Sequence, residues 1–270
     1  MAFIRQVRLQ RKNNLTINLN ELTCALCPPH SLQNAVVNTQ FEIDRKNMIT
    51  ERFSQALAVA IEAHDGQQRK GTTIPYISHP IGVASIALEY GANEDQAIAA
   101  LLHDVLEDAE PQKRPYFEDV IKSQFGSRVF EIVLGCTDGV PDASGEKQGW
   151  EERKIVYLEH LRAASEDVIL VSGSDKLHNA RAILKDFKSI GLAVFERFKA
   201  GQDGTVWYYQ SLAKIFNDRN APMASVLQTL VDQFPPVKQR KCGTFLLRQG
   251  IDAMSDSAKK EFFEDLKKKV

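Results

Sequence analysis

Ala99-Ala100-Leu101-Leu102-His103-Asp104-Val105-Leu106-Glu107-Asp108 sets four metal-ligating or proton-handling side chains into six consecutive positions of an otherwise apolar run. Ala99, Leu102, Val105 and Leu106 recur at helical spacing, which predicts a buried helix over residues 97–108. On one helix, His103 and Glu107 stand on neighbouring turns, as do Asp104 and Asp108. A single polar face would then carry an imidazole and three carboxylates. Burying those groups unpaired is expensive, and a bound divalent cation is one direct way to offset the cost. The plainer alternative is a core histidine with its hydrogen bonds made and an acidic helix end in water. Motifs this short match often by chance, so the rest of the chain has to decide.

The chain continues as helices. Thr50 is placed to cap a helix reaching about His64, with Phe53, Leu57, Ala60 and Ile61 as its inner face. A polar loop leads to His79-Pro80, where proline suits the first turn of a helix ending near Gly91. After the 97–108 helix, shorter ones are expected over Phe117–Gln124 and Arg128–Cys136, then a flexible loop over 137–149 rich in Asp, Gly and Ser. Further helices are expected over Trp150–Ala164, Asp167–Phe187 and Gly204–Phe216, and another around Val226–Val231. The fold class is all-α. Residues 1–48 form an N-terminal appendage of mixed structure: Leu15, Ile17 and Leu19 alternate with polar residues as in a short strand, and Pro28-Pro29 then breaks the element. Residues 49–219 form the main domain, and 220–270 a C-terminal helical extension ending in Lys267-Lys268-Lys269, a solvated helix end.

With 270 residues and 43% apolar side chains the chain can bury a sizeable core, and a formal net charge of −1 gives no global reason to bind nucleic acid or a membrane surface. No apolar run approaches the roughly 18 residues that span a bilayer. Cys24, Cys27, Cys136 and Cys242 are too few and scattered for a disulfide framework. Cys24 and Cys27 lack the second ligand pair that a zinc site needs. A reducing cytoplasm is the simplest setting. The oligomeric state is not legible.

Set out on their helices, the polar groups suggest a site. His79 opens one helix, His103 and Asp104 sit on a second and Asp175 on a third, so two imidazoles and two carboxylates give one divalent cation a mixed nitrogen and oxygen shell. Mn²⁺, Fe²⁺ and Zn²⁺ all suit it. Such an ion lowers the pKa of water and polarises phosphorus. Glu107 and Asp108, one turn on, are placed to take a proton from that water or orient it. Phosphate esters also call for cations, which Arg69-Lys70 and Arg153-Lys154 offer, although such pairs are commonly surface charge. Asn179, four residues after Asp175, can reach a base, ribose or phosphate. Tyr76 and Tyr208 can stack on a base or bond a phosphate, although aromatics at helical spacing are commonly core.

Three segments, Arg69-Lys70-Gly71 leading to Pro75-Tyr76-Ile77-Ser78-His79-Pro80, Leu102-His103-Asp104 leading to Glu107-Asp108, and Asp175-Lys176-Leu177-His178-Asn179-Ala180-Arg181, resemble the HD-domain hydrolases of RelA/SpoT type. Within that family the chain is most similar to the stand-alone small alarmone hydrolases, the metazoan SpoT-like enzymes included. The resemblance runs over about residues 50–216. It implies an HD-domain helical bundle and a metal-dependent, usually Mn²⁺-dependent, 3′-pyrophosphohydrolase that converts the alarmone (p)ppGpp of the stringent response to GDP or GTP plus pyrophosphate. Carried over residue by residue, it makes His79, His103, Asp104 and Asp175 the metal ligands and Glu107 and Asp108 the catalytic acidic pair. Arg69, Lys70, Tyr76, Lys154, Asn179 and Tyr208 match substrate-contacting positions; Trp207-Tyr208-Tyr209 permits a slip of one residue at the last. Two other readings compete: a phosphohydrolase of the same fold acting on ppApp or NADPH, and a nucleotide-binding regulatory module without catalysis.

Overall fold

A computed structural model describes residues 49–138 and 149–237, all within the compact unit Asn47–Val270. Among the described residues the fold is all-α, as the sequence predicts, and the only β-type pairing is an isolated bridge between Gln68 and Pro75. In chain order the helices are α1 (Glu51–Ala63), α2 (Ser78–Glu89), α3 (Glu94–Leu102), α4 (Val105–Asp108), α5 (Arg114–Phe125), α6 (Ser127–Cys136), α7 (Trp150–Ala163), α8 (Glu166–Ile190), α9 (Gly201–Asp218) and α10 (Ala224–Val231). A 3₁₀ segment, Gly191–Arg197, follows α8. The alternation at 15–20, the Cys24/Cys27 pair, Cys242, the lysine run at 267–269 and residues 139–148 of the expected loop lie outside the described residues.

The centre of the bundle is α3. A reciprocal cap starts it, with the Asn93 side chain accepting from the Gln96 backbone at 3.1 Å and the Gln96 side chain accepting from the Asn93 backbone at 2.8 Å. Every residue from Ala97 to Leu102 is buried, so the helix is apolar all round and packs against α1, α2, α6 and α8. Thr50 caps α1 as expected, its hydroxyl accepting from the Arg52 N–H at 3.3 Å. The inner face of α1 differs from expectation: Ala56, Val59 and Ala60 are buried, Phe53 and Leu57 partly so, while Ile61 is 51% exposed. One residue beyond Ala60 is about 100° further round a helix, and Ile61 falls off the stripe that meets α3.

The expected helix over 97–108 is not continuous. It stops at Leu102, passes through His103 and Asp104, and resumes as the single turn α4. Asp104 adopts φ −95° and ψ −10°, where its carboxylate accepts from the Tyr76 hydroxyl at 2.6 Å. Both His103 and Asp104 keep right-handed helical backbone angles, and the Asp104 carbonyl still accepts from the Asp108 N–H at 2.9 Å, so the break is a local loosening of the helix rather than a change of direction.

The long helix α8 runs through the core. Ser165 caps it, accepting from Val168 N–H at 3.3 Å. Its buried middle is small and polar: Ser172 pairs with the Tyr157 hydroxyl at 2.6 Å, and Ser174 donates to the Leu170 carbonyl at 2.8 Å. Gly173 leaves room for Met223, whose sulfur would lie 2.5 Å from any Cβ there. Met223, Leu227, Val231 and Phe234 are all buried in the same core as α3 and α8.

Candidate metal centre

Three separate parts of the fold bring polar groups into this core. His79, the second residue of α2, is buried, followed by Pro80 in the first turn where a missing N–H costs nothing. The α3–α4 break supplies His103 and Asp104, and the middle of α8 supplies Asp175. His79 Nε2 lies 3.3 Å from Asp104 Oδ2 and 3.2 Å from Asp175 Oδ1. His103 Nε2 lies 3.1 Å and 3.8 Å from the same two oxygens. Donor atoms of His79, His103 and Asp175 all fall within 4.8 Å of one another, and this is the grouping of that kind among the described residues.

The residues fit a divalent cation on three counts. Donors each about 2.1 Å from one ion and at right angles to one another lie about 3 Å apart, close to the separations here. The second count is an orphan. His103 Nδ1 is bonded to the Ala100 carbonyl at 2.8 Å, while its buried Nε2 makes no hydrogen bond among the described residues, being close to Asp104 but out of line with it. Two neutral imidazoles and two carboxylates also carry the charge that balances a divalent ion.

Around these four, a shell of partners fixes the carboxylates. Tyr76 donates to Asp104. Lys176 Nζ lies 2.5 Å from Asp175 Oδ2, and Asn179 donates to Asp175 Oδ1 at 2.5 Å. Arg69 in turn donates to Asn179 Oδ1 at 2.6 Å and lies over the Tyr76 ring, 5.6 Å from its centroid. The expected substrate contacts Arg69, Tyr76 and Asn179 are thus brought to the edge of the cluster, and Asn179 is already engaged with it. Lys154 is brought in from α7: its ammonium pairs with Asp138 and lies 4.8 Å from the Tyr208 ring centroid. Tyr208 is buried and its hydroxyl has no hydrogen-bond partner among the described residues. Lys70 is exposed on its loop and Asp108 at the end of α4, while Glu107 Oε2 accepts from the Asp138 N–H at 3.3 Å.

Electrostatics follow from the crowding. Burial works against charge on His103, yet Asp104 and Asp175 beside it push its pKa up to about 9. Burial likewise opposes the Asp104 and Asp175 charges, but His103 and His79 hold Asp104, and Lys176 with the two imidazoles holds Asp175, below the usual carboxylate range. Burial opposes the Lys176 charge too, and Asp175 outweighs it, keeping the ammonium well above its ordinary value. Burial, with Asp104 and Asp108 nearby, raises the Tyr76 phenol. Burial, with His79 and Arg69 nearby, pushes His178 down to about 4.

Four residues of this neighbourhood carry no role in the sequence reading: His64, Asp138, Lys176 and His178. Lys176 and His178 stand inside the Asp175–Arg181 segment, so their proximity was legible while their partners were not. Asp138 falls in the stretch expected to be a flexible loop; instead it is buried, 2.5 Å from Arg153 Nη1 and paired with Lys154. His64 is buried at the end of α1 against the Tyr76 ring, with centroids 4.7 Å apart. Nothing local in the sequence marks either of these.

Comparison with known proteins adds three findings. The family described as HD domain matches residues 56–206. A guanosine-3′,5′-bis(diphosphate) 3′-pyrophosphohydrolase of Haemophilus influenzae is 37% identical over 131 residues, which cover 46% of this chain and 18% of that protein. The guanosine-3′,5′-bis(diphosphate) 3′-pyrophosphohydrolase MESH1 of Xenopus tropicalis is 40% identical over 130 residues, covering 47% of this chain and 66% of that one. The chain therefore spans about a fifth of the first of these relatives and just under two thirds of the second. A crystal structure of the Listeria monocytogenes protein lmo0812 superposes with a TM-score of 0.48 at 27% identity, covering 57% of this chain and 96% of that chain.

Proposed function

From the premise that the chain belongs to the HD domain family, which matches it over residues 56–206, we propose that it is a metal-dependent 3′-pyrophosphohydrolase of (p)ppGpp, releasing pyrophosphate and leaving GDP or GTP. The observation that carries the reading is the convergence of His79, His103, Asp104 and Asp175 from three parts of the fold, with a buried imidazole nitrogen that has no hydrogen-bond partner among the described residues. The substrate rests on the relatives at 37% and 40% identity that bear that activity in their names.

His79, His103, Asp104 and Asp175 are the proposed ligands, and Mn²⁺ the proposed ion. When bound, the ion supplies Lewis acidity toward water and a phosphoryl oxygen. The side chains do the remainder. Tyr76 holds Asp104 and Lys176 holds Asp175, so neither carboxylate is free to swing away. Glu107 and Asp108 follow one turn after Asp104; they take the proton of the attacking water, with the Asp138 N–H steadying the Glu107 carboxylate. Arg69 and Lys154 flank the cluster and Lys70 reaches from the loop, giving cations for the phosphates remote from the reacting bond. Asn179 and Tyr208 complete the proposed contacts with the nucleotide.

The test is product analysis with Mn²⁺. Both ppGpp and pppGpp should yield pyrophosphate, since they share the 3′-diphosphate and differ only at the 5′ end, whereas GTP and GDP should react poorly. Preferential turnover of ppApp or NADPH in the same panel would change the substrate and keep the site. Orthophosphate released from the 5′ end would overturn the reaction type.

A further inference from the structure

We propose that His178 is a positioning residue for His79, and that Gly82 is the gap in α2 that lets it act. His79 Nδ1 and His178 Nδ1 are 2.9 Å apart, with the ring centroids separated by 4.8 Å and the planes at 49°. The opposite nitrogen of His79, Nε2, faces Asp104 and Asp175. Resting on the reading of that cluster as a cation site, Nε2 must present a lone pair there, so the His79 proton sits on Nδ1 and is donated to His178 Nδ1. His178 accepts through its own lone pair and carries its proton on Nε2.

Its geometry requires a particular neighbour. Gly82 lies one turn after His79 on α2, and a Cβ at that position would collide with the Cδ2 and Nε2 atoms of the His178 ring. A side chain at 82 would therefore push the imidazole out of line with His79. His178 itself stands one turn after Asp175 on α8, so one helix supplies both a proposed ligand and the group that orients another. A ligating histidine whose second nitrogen is held in this way has its tautomer and ring direction fixed before the ion arrives, and loss of such a partner typically weakens metal binding 10- to 100-fold.

The experiment is a Mn²⁺ titration of the metal-stripped full chain followed by electron paramagnetic resonance, with the unfolding midpoint in chelator measured on each sample. His178→Ala is expected to raise the Mn²⁺ dissociation constant by roughly 10- to 100-fold. His178→Asn, whose Oδ1 stands near the place of Nδ1, is expected to recover most of that affinity. Gly82→Ala leaves every hydrogen-bonding group in place and favours the helix, yet should weaken Mn²⁺ binding as His178→Ala does. Wild-type affinity in both His178→Ala and Gly82→Ala, against a wild type that binds Mn²⁺, overturns this inference alone. Failure of His178→Asn to bind better than His178→Ala, with both folded, also overturns it. A wild type that binds no Mn²⁺ overturns the cation reading and this inference with it.

Discussion

Asp138 offers the sharpest test of how the site is assembled. Its side chain is 4% exposed and neutralises two cations from α7, Arg153 and Lys154, whose own side chains keep 13% and 14% of their exposure. Asp138→Ala removes the carboxylate and leaves two cations close together, with the buried Lys176 ammonium nearby. Breaking a fully buried pair costs about 3–5 kcal/mol, most of it the charge left behind. Arg153 has other interactions, and both cations keep some water, so the expected loss is about 2–4 kcal/mol. For a helical body of this size that corresponds to a fall of roughly 5–15 °C in unfolding temperature. Asp138→Asn keeps the shape and part of the hydrogen bonding, and should lose less. The backbone N–H that Asp138 gives to Glu107 survives both changes. Activity in the folded fraction should therefore fall mainly through KM, because Lys154 is displaced while Glu107 is not. Urea unfolding with parallel kinetics measures both effects. A stability change below about 1 kcal/mol for Asp138→Ala would refute the claim that this pairing organises the α7 side of the site.

Glu107→Gln should keep Mn²⁺ and nucleotide affinity while lowering kcat by roughly 10²-fold, the scale of a lost general base, and loss of binding with normal kcat would move Glu107 to the substrate contacts. For the metal-free protein, the His103 pKa is raised from 6.5 to about 9, so its stabilising contribution is complete below pH 6.5 and is lost as pH rises through 9. Urea midpoints in chelator should fall across that window, and saturating Mn²⁺, which competes with the proton, should remove the fall. Ending the chain at residue 220 should prevent folding, because it removes Met223, Leu227, Val231 and Phe234 from the core, a gross loss of roughly 6–12 kcal/mol at about 1.5–3 kcal/mol for each buried side chain. Residues 47–237 should fold and hydrolyse, and circular dichroism with the same product assay separates the two lengths.

What the sequence determined by itself was the helical character and the order of the chemistry. Apolar residues at helical spacing, Thr50 and Gly91 at helix ends, and proline after His79 are local signals, and local signals are written in adjacent residues. The resemblance of the three motif segments placed His79, His103, Asp104 and Asp175 in one set before any geometry was known. Periodicity reports which side of an element meets the core, not whether its backbone hydrogen bonds continue. For that reason the run 97–108 read as one helix, although it is interrupted at His103 and Asp104, where the Asp104 carboxylate accepts from Tyr76, 28 residues away. The same limit hid the roles of His178 and Asp138. His178 and Asp138 owe their places to partners further along the chain, His79 being 99 residues from His178 and Arg153 being 15 from Asp138, while Lys176 pairs with its own neighbour Asp175. Contacts of that kind form only when the helices have packed, α2 and α8 on α3 and α7 on α9. The sequence therefore supplied the donor groups, and the packing decided which of them are held, by what, and in which direction they point.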